Sequence, residues 1–177
     1  GGEHIVDAAR SAGVTTVFTL SGAHIFPVYD AAVGGKERVE AAPDRRTAEW
    51  DGPLRLVDTR HEQTAVFAAE AMGKLTRTPG FAAVTAGPGV TNAVSGLTSA
   101  WFNAVPVVVM GGRSPDFRWG SGALQEMDHL PIVQSVTKSA ATAHDPAQIG
   151  AMTAAAFAAA TTAHRGPAFL DVPMDIF

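Results

Sequence analysis

Phe81-Ala82-Ala83-Val84-Thr85-Ala86-Gly87-Pro88-Gly89-Val90-Thr91-Asn92 decides the fold of this chain. It opens with a burst of strand length, Phe81–Ala86, turns at Gly87-Pro88-Gly89, and continues with Val90, Val94, Leu97 and Trp101 at helical spacing. A burst that is continuous rather than alternating belongs to a strand buried on both faces. Such strands lie in parallel sheets, whose connections are helical crossovers. The same unit recurs in both directions. Further bursts stand at Val14–Leu20, Leu54–Asp58, Pro106–Gly111 and Pro167–Val172, with a weaker one at Val136–Thr142. Helical stripes run through Ile5, Ala8, Ala9 and Ala12, and through Ala65, Ala68, Ala69 and Met72. A last helix is expected from an Asp145 N-cap, with Pro146 at its first position and Gln148 at its third. This alternation predicts an α/β fold: one open, mostly parallel sheet of about six strands with helices on both faces.

The 177 residues suit one domain, 1–177. Hydrophobic residues make up 46% and charged residues 17%, enough apolar surface for a sizeable core. A net charge of −4 and the lack of any basic run argue against a nucleic-acid partner. The chain has no cysteine, so a disulfide framework and thiolate metal sites are excluded. The alanine-rich tract from Ala151 to Ala163 is too short to span a bilayer, and no signal peptide is visible, so a cytoplasmic location is expected. Two segments break the alternation. Residues 34–53 carry five acidic residues, four basic residues and two prolines, and are expected to be a surface-loop insertion. Residues 111–124, rich in Gly, Arg and Ser, lead into Gln125-Glu126-Met127-Asp128-His129 after a strand end, where open α/β sheets place ligand crevices.

Three strand-to-helix junctions hold the candidate chemistry. Asp58-Thr59-Arg60-His61-Glu62-Gln63 puts a carboxylate in the first turn of a helix, near the strand ends that form a crevice; by position alone the favoured reading is a helix-start acid complementing the dipole. Thr85–Asn92 offers a glycine turn that a ligand can approach closely. It lacks the Lys-Ser or Lys-Thr of a P-loop and the third glycine of a dinucleotide fingerprint. Leu20-Ser21-Gly22-Ala23 is a third junction, for which a structural turn needs only Ser21 and Gly22. Ser21, His61 and Asp58 do not make a hydrolase triad, because no G-x-S-x-G elbow is present. The six histidines lack H-x-x-x-H spacing, so no metal site is expected.

As an ordered set these segments resemble the pyrimidine-binding N-terminal domain of the acetolactate synthase-like, thiamine-diphosphate-dependent enzymes. Gly13–Phe18 resembles the family's opening helix-to-strand signature. Gly22–Asp30 is similar to its G-G/A-x-x-x-P-x-Y-D element, Arg60–Gln63 to R-H-E-Q, and Thr85–Asn92 to T-x-G-P-G-x-T-N. Asn103–Val108 resembles N-x-x-P-x-V, Leu124–Glu126 with Val136–Lys138 resembles F-Q-E…V-T-K, and Gly166–Pro173 resembles the closing strand. The resemblance implies the thiamine-diphosphate-binding fold and assigns Glu62 as the catalytic carboxylate at N1′ of the cofactor's aminopyrimidine. A carboxylate is needed there because it must exchange a proton with a ring nitrogen. It further implies that Pro88 and Asn92 line the pyrimidine pocket, while Gln125 and the Gly22-Ala23 turn face the reacting end.

The implied reaction is decarboxylation of a small 2-keto acid followed by carboligation. A 2-hydroxyacyl-CoA lyase or oxalyl-CoA decarboxylase-like component, or a non-catalytic assembly partner, is the alternative. Met174 stands where the biosynthetic enzymes carry a lysine near the substrate channel. Arg165 is one residue, and His164 two, before the Gly-Pro, where those enzymes place a flavin-contacting arginine two before it; an FAD requirement is left open. Leu124 replaces the phenylalanine of F-Q-E. The family's G-D-G…N-N motif for diphosphate and Mg2+ is absent. The resemblance therefore implies a partner domain or subunit holding both, in a homo-oligomer or a split hetero-oligomer, and no turnover from this chain alone.

Overall fold

The computed structural model describes residues 1–34 and 52–177. Six strands form one sheet: β1 (Thr16–Thr19), β2 (Arg55–Asp58), β3 (Gly80–Val84), β4 (Val107–Arg113), β5 (Ser139–Thr142) and β6 (Pro167–Pro173). Their order is β2-β1-β3-β4-β6-β5, and every neighbouring pair is parallel. Helices are α1 (Gly2–Ser11), α2 (Phe26–Val33), α3 (Glu62–Thr76), α4 (Pro88–Phe102), the single turn α5 (Leu130–Val133) and α6 (Ile149–Thr161). The expected open sheet is thus observed, and its described strands are parallel throughout.

Alternation within the buried strands divides the core in two. Phe81, Ala83, Val108, Met110, Ala168 and Leu170 face α1, α2 and α6, with Phe81 edge-on to Phe157 at 5.5 Å between ring centroids. On the opposite face Ala82, Val84, Val107, Val109 and Phe169 meet α3 and α4. Each fully buried large apolar side chain contributes about 1.5–3 kcal/mol. Position 96 sets how closely α3 and α4 approach: a Cβ on Gly96 would lie 2.6 Å from Cβ and Cγ1 of Val66.

Three local expectations are refined. β4 runs past Gly111 to Arg113, because Gly112 and Arg113 stay in register with Val172 and Pro173 of β6. Asp145 does cap, its Oδ1 accepting from the Ala147 amide at 2.9 Å, but the first turn, Pro146–Gln148, is 3-10 and α6 begins at Ile149. Trp101, placed on the buried stripe by spacing, is 40% exposed near the end of α4. Within the expected insertion at 34–53, residues 35–51 lie outside the described residues; the Leu54 amide bonds to the Ala32 carbonyl at 3.1 Å. No helix among the described residues is long and apolar enough to cross a membrane.

Strand order fixes where a site can form. From β1 the chain passes to β2 on one side, while β3 pairs on the other. The topological switch point of this sheet, where open α/β sheets place their ligand crevices, therefore lies at the carboxyl ends of β1 and β3.

Candidate active site

Glu62 is the first residue of α3, just beyond β2. Thr59 ties that junction to β1: its amide bonds to the Thr19 carbonyl at 2.8 Å, and its hydroxyl donates to the Thr19 and His61 carbonyls, each at 3.0 Å. His61 is the N-cap, its Nδ1 accepting from the Gln63 amide at 3.1 Å. The helix start holds the Glu62 carboxylate buried, at 7% exposure. Its Oε2 accepts from Asn92 Nδ2 at 3.0 Å, whereas Oε1 has no hydrogen-bond partner among the described residues. That oxygen lies 3.5 Å from where a Cβ on Gly89 would stand. A buried carboxylate with one oxygen held and the other without a partner among the described residues can accept a hydrogen bond or exchange a proton.

The glycine turn supplies the facing wall. Gly87 has φ 59° and ψ −114°, a conformation open to glycine and strained for any L side chain. Pro88 follows at the first position of α4, exposed and with no amide to satisfy. One turn further on, Asn92 reaches back to Glu62.

Thr85, at the end of β3, is the hub of the crevice. A Cβ on Gly22 would meet its Cβ and Oγ1 at 2.4 Å, and one on Gly89 would meet its Cγ2 at 2.8 Å. Its hydroxyl bonds to His24 Nδ1 at 3.1 Å and lies 3.5 Å from Gln125 Oε1, a weak contact. Gly22 is extended, so its lack of a side chain serves this close approach. Ser21 does not cap the following turn; Gly22 precedes the 3-10 turn Ala23–Ile25 without a side-chain cap.

Gln125 sits across from the turn at φ 58°, a left-handed backbone unusual outside glycine, costing on the order of 1–3 kcal/mol. Its surroundings hold it there. Ser114 Oγ donates to the Leu124 carbonyl at 2.8 Å, and Glu126 accepts from the Gly120 and Ala123 amides at 3.0 and 3.1 Å. Cβ and the carbonyl of Gln125 pack 3.0 Å from where a Gly87 side chain would be. The structure therefore brings Glu62, Gly22, Asn92 and Gln125 to one crevice through Thr85 and the glycines. Ala23 and Pro88 join them as chain neighbours of Gly22 and Gly87.

Five polar residues in and behind this crevice escaped the sequence-based expectation: Thr85 in its own right, buried His24 and His129, Arg113, and Asp171. Burial lowers the His24 imidazole pKa below the ordinary histidine value. A hydrogen bond to the Leu124 backbone opposes that shift and nearby His129 adds to it. Tyr29 hydrogen-bonds Thr19 Oγ1 at 2.7 Å; because the Thr19 hydroxyl donates to the Ala83 carbonyl, the phenol is the donor. Burial raises the phenol pKa above its ordinary value. No cluster of three His, Cys, Asp or Glu side chains suited to a metal occurs among the described residues.

Residues 1–132 match the thiamine pyrophosphate enzyme, N-terminal TPP binding domain. The chain is 47% identical over 174 residues to the acetolactate synthase large subunit IlvG of Mycobacterium tuberculosis, and equally to a probable acetolactate synthase of Mycobacterium bovis. In both cases 98% of this chain and 29% of the relative are covered. It is 38% identical over 176 residues to 2-hydroxyacyl-CoA lyase 2 of Homo sapiens, covering 99% of this chain and 25% of that protein. The chain thus spans less than a third of the length of the curated relatives it matches.

Proposed function

The chain belongs to the thiamine pyrophosphate enzyme family as its N-terminal TPP-binding domain, and on that premise we propose that it forms the pyrimidine-binding half of an acetolactate synthase-like active site. The observation that carries the proposal is Glu62: buried, with Oε2 fixed by Asn92 and Oε1, beside the glycine cradle, without a hydrogen-bond partner among the described residues. These residues fit an aminopyrimidine, which needs a proton-exchanging carboxylate at one edge and a wall without side chains for its flat face. When bound, thiamine diphosphate supplies the nucleophilic carbon and electron sink for cleaving a 2-keto acid next to its carbonyl.

The chain's own residues bind, orient and move a proton. Glu62 exchanges the proton at the ring nitrogen, and Asn92 keeps its carboxylate turned toward the cradle. Gly89, Pro88, the extended Gly22 and the Ala23 that follows it shape the wall. Gln125, held in its left-handed conformation, presents an amide to the reacting end. Diphosphate and Mg2+ fall to another domain or subunit, so the active enzyme is a homo-oligomer or a split hetero-oligomer, cytoplasmic, acting on a small 2-keto acid.

One observation favours a second reading, a 2-hydroxyacyl-CoA lyase: identity to 2-hydroxyacyl-CoA lyase 2 extends over 99% of the chain. The test is to purify the natural gene product carrying this chain and measure thiamine diphosphate binding by calorimetry. It is then assayed with pyruvate and with a 2-hydroxyacyl-CoA. Binding with acetolactate formation supports the first reading and acyl-CoA cleavage the second. A protein that binds no thiamine diphosphate refutes both.

A further inference from the structure

An aspartate in a strand buried at every residue needs partners for both oxygens. Asp171 of β6 is 0% exposed and has them. Its Oδ2 accepts from Arg113 Nη1 at 3.1 Å, and its Oδ1 lies 3.0 Å from Nδ1 of His129, which is also 0% exposed. The other face of that imidazole reaches the glycine turn: the Gly87 amide donates to His129 Nε2 at 2.9 Å. A backbone N–H can only donate, so Nε2 is the bare nitrogen and the ring proton sits on Nδ1, pointing at Asp171. Phe169, edge-on to the ring at 6.4 Å between centroids, fixes its plane.

Position in the chain gives this relay its meaning. Gly87 precedes α4, and four residues after Pro88 that helix places Asn92 on Glu62. Arg113, the second partner of Asp171, stacks on Trp119 at 3.6 Å, within the loop that leads to Gln125. One buried carboxylate therefore anchors both walls of the crevice. Stability does not explain it, since well-packed apolar residues serve as well as a buried ion pair. A directional chain of hydrogen bonds, by contrast, fixes one backbone geometry.

We propose that Asp171 and His129 are positioning residues, acting through the Gly87 amide to set the turn that carries Pro88 and orients Asn92 toward Glu62. Neither touches the reacting atoms. The inference rests on the pyrimidine-site reading of Glu62 and its cradle, but it is tested separately from it.

The test compares His129→Asn with His129→Gln in the natural gene product. Asparagine can still donate to Asp171 but offers nothing at the Nε2 position, whereas the glutamine carbonyl can reach toward Gly87. Two quantities are read: amide hydrogen exchange at Gly87, and the Kd for thiamine diphosphate. His129→Asn is expected to speed Gly87 exchange and raise Kd, each about tenfold or more, the order for a buried amide losing its acceptor. His129→Gln is expected to recover most of both. Unchanged Gly87 exchange in His129→Asn, a Kd within about twofold of wild type, or no recovery by glutamine overturns the proposal. Should neither variant fold, nitrogen-15 NMR of the wild-type protein decides: a proton on Nδ1 supports the relay and a proton on Nε2 overturns it. If the wild type binds no thiamine diphosphate, the pyrimidine-site reading fails. Gly87 exchange and the His129 tautomer then still decide the relay.

Discussion

Asn92→Asp is the sharpest probe of the Glu62 arrangement, because it changes one donor into an acceptor without changing shape. The wild-type contact is 3.0 Å between Asn92 Nδ2 and Glu62 Oε2, with Glu62 only 7% exposed. Two carboxylates at that separation repel by about 5.5 kcal/mol at an effective dielectric constant of 20. Asn92 is half-buried, so rotation and screening reduce this; about 3 kcal/mol of lost stability is expected near pH 7.5. The sign with pH follows from proton sharing. In the folded variant the pair retains a proton that both unfolded carboxylates, with pKa values of about 4, have released. The folded state then binds more protons, so stability falls as pH rises from about 4 to 7.5. Near pH 5 the shared proton restores a donor between the groups, and the deficit shrinks to about 1 kcal/mol. Urea unfolding of wild type, Asn92→Asp and Asn92→Ala at about pH 5 and 7.5 measures this. The alanine variant, which leaves Oε2 without its partner, costs about 1–2 kcal/mol with no comparable growth toward high pH. An Asn92→Asp deficit equal at the two pH values would refute the pairing of these side chains.

Three further outcomes follow from the packing and titration of the chain. His24, whose pKa burial depresses, is neutral in the folded state while the unfolded chain takes up its proton near pH 6.5. Stability present above that value is therefore lost as pH falls toward the depressed one, and His24→Asn flattens this part of the unfolding profile. Tyr29 keeps its proton beyond the ordinary pH 10, so its share of stability is lost as pH rises above 10. Tyr29→Phe removes that loss and, by deleting the hydrogen bond to Thr19, costs about 0.5–1.5 kcal/mol at neutral pH by urea unfolding. Gly96→Ala, whose methyl would stand 2.6 Å from Val66, costs about 1–3 kcal/mol by forcing α3 and α4 apart.

The sheet was readable because its strands are local apolar bursts. β3, β4 and β6 are buried at every residue and announced themselves; β5, an edge strand of Ser139-Ala140-Ala141-Thr142, is half-buried and read weakly. Boundaries were lost where tertiary pairing overrides composition. Gly112 and Arg113 look like loop residues yet pair with β6, held in part by the Arg113–Asp171 ion pair. Trp101 followed the helical stripe only until α4 reached its solvent end. In the crevice, position at a strand-to-helix junction marked Glu62, Asn92 and the glycine turn only as helix-start residues and a tight turn; it was the ordered resemblance that singled out Glu62 and Asn92. Asp171, His129 and His24 were not, since their bonds cross 42 to 61 residues of sequence. One signal was available: an acid inside the apolar run Pro167–Pro173 must be partnered if the strand is buried.

The role proposed for Glu62 is to exchange a proton with the bound cofactor. Its most direct test is the rate of C2 hydrogen–deuterium exchange in thiamine diphosphate bound to the natural gene product, wild type against Glu62→Gln. Glutamine preserves size and hydrogen bonding but cannot exchange a proton in this way. The expected rate is lower by about 10²–10⁴-fold, with cofactor affinity changed by less than about tenfold. A Glu62→Gln protein whose bound cofactor exchanges within about threefold of the wild-type rate would contradict it.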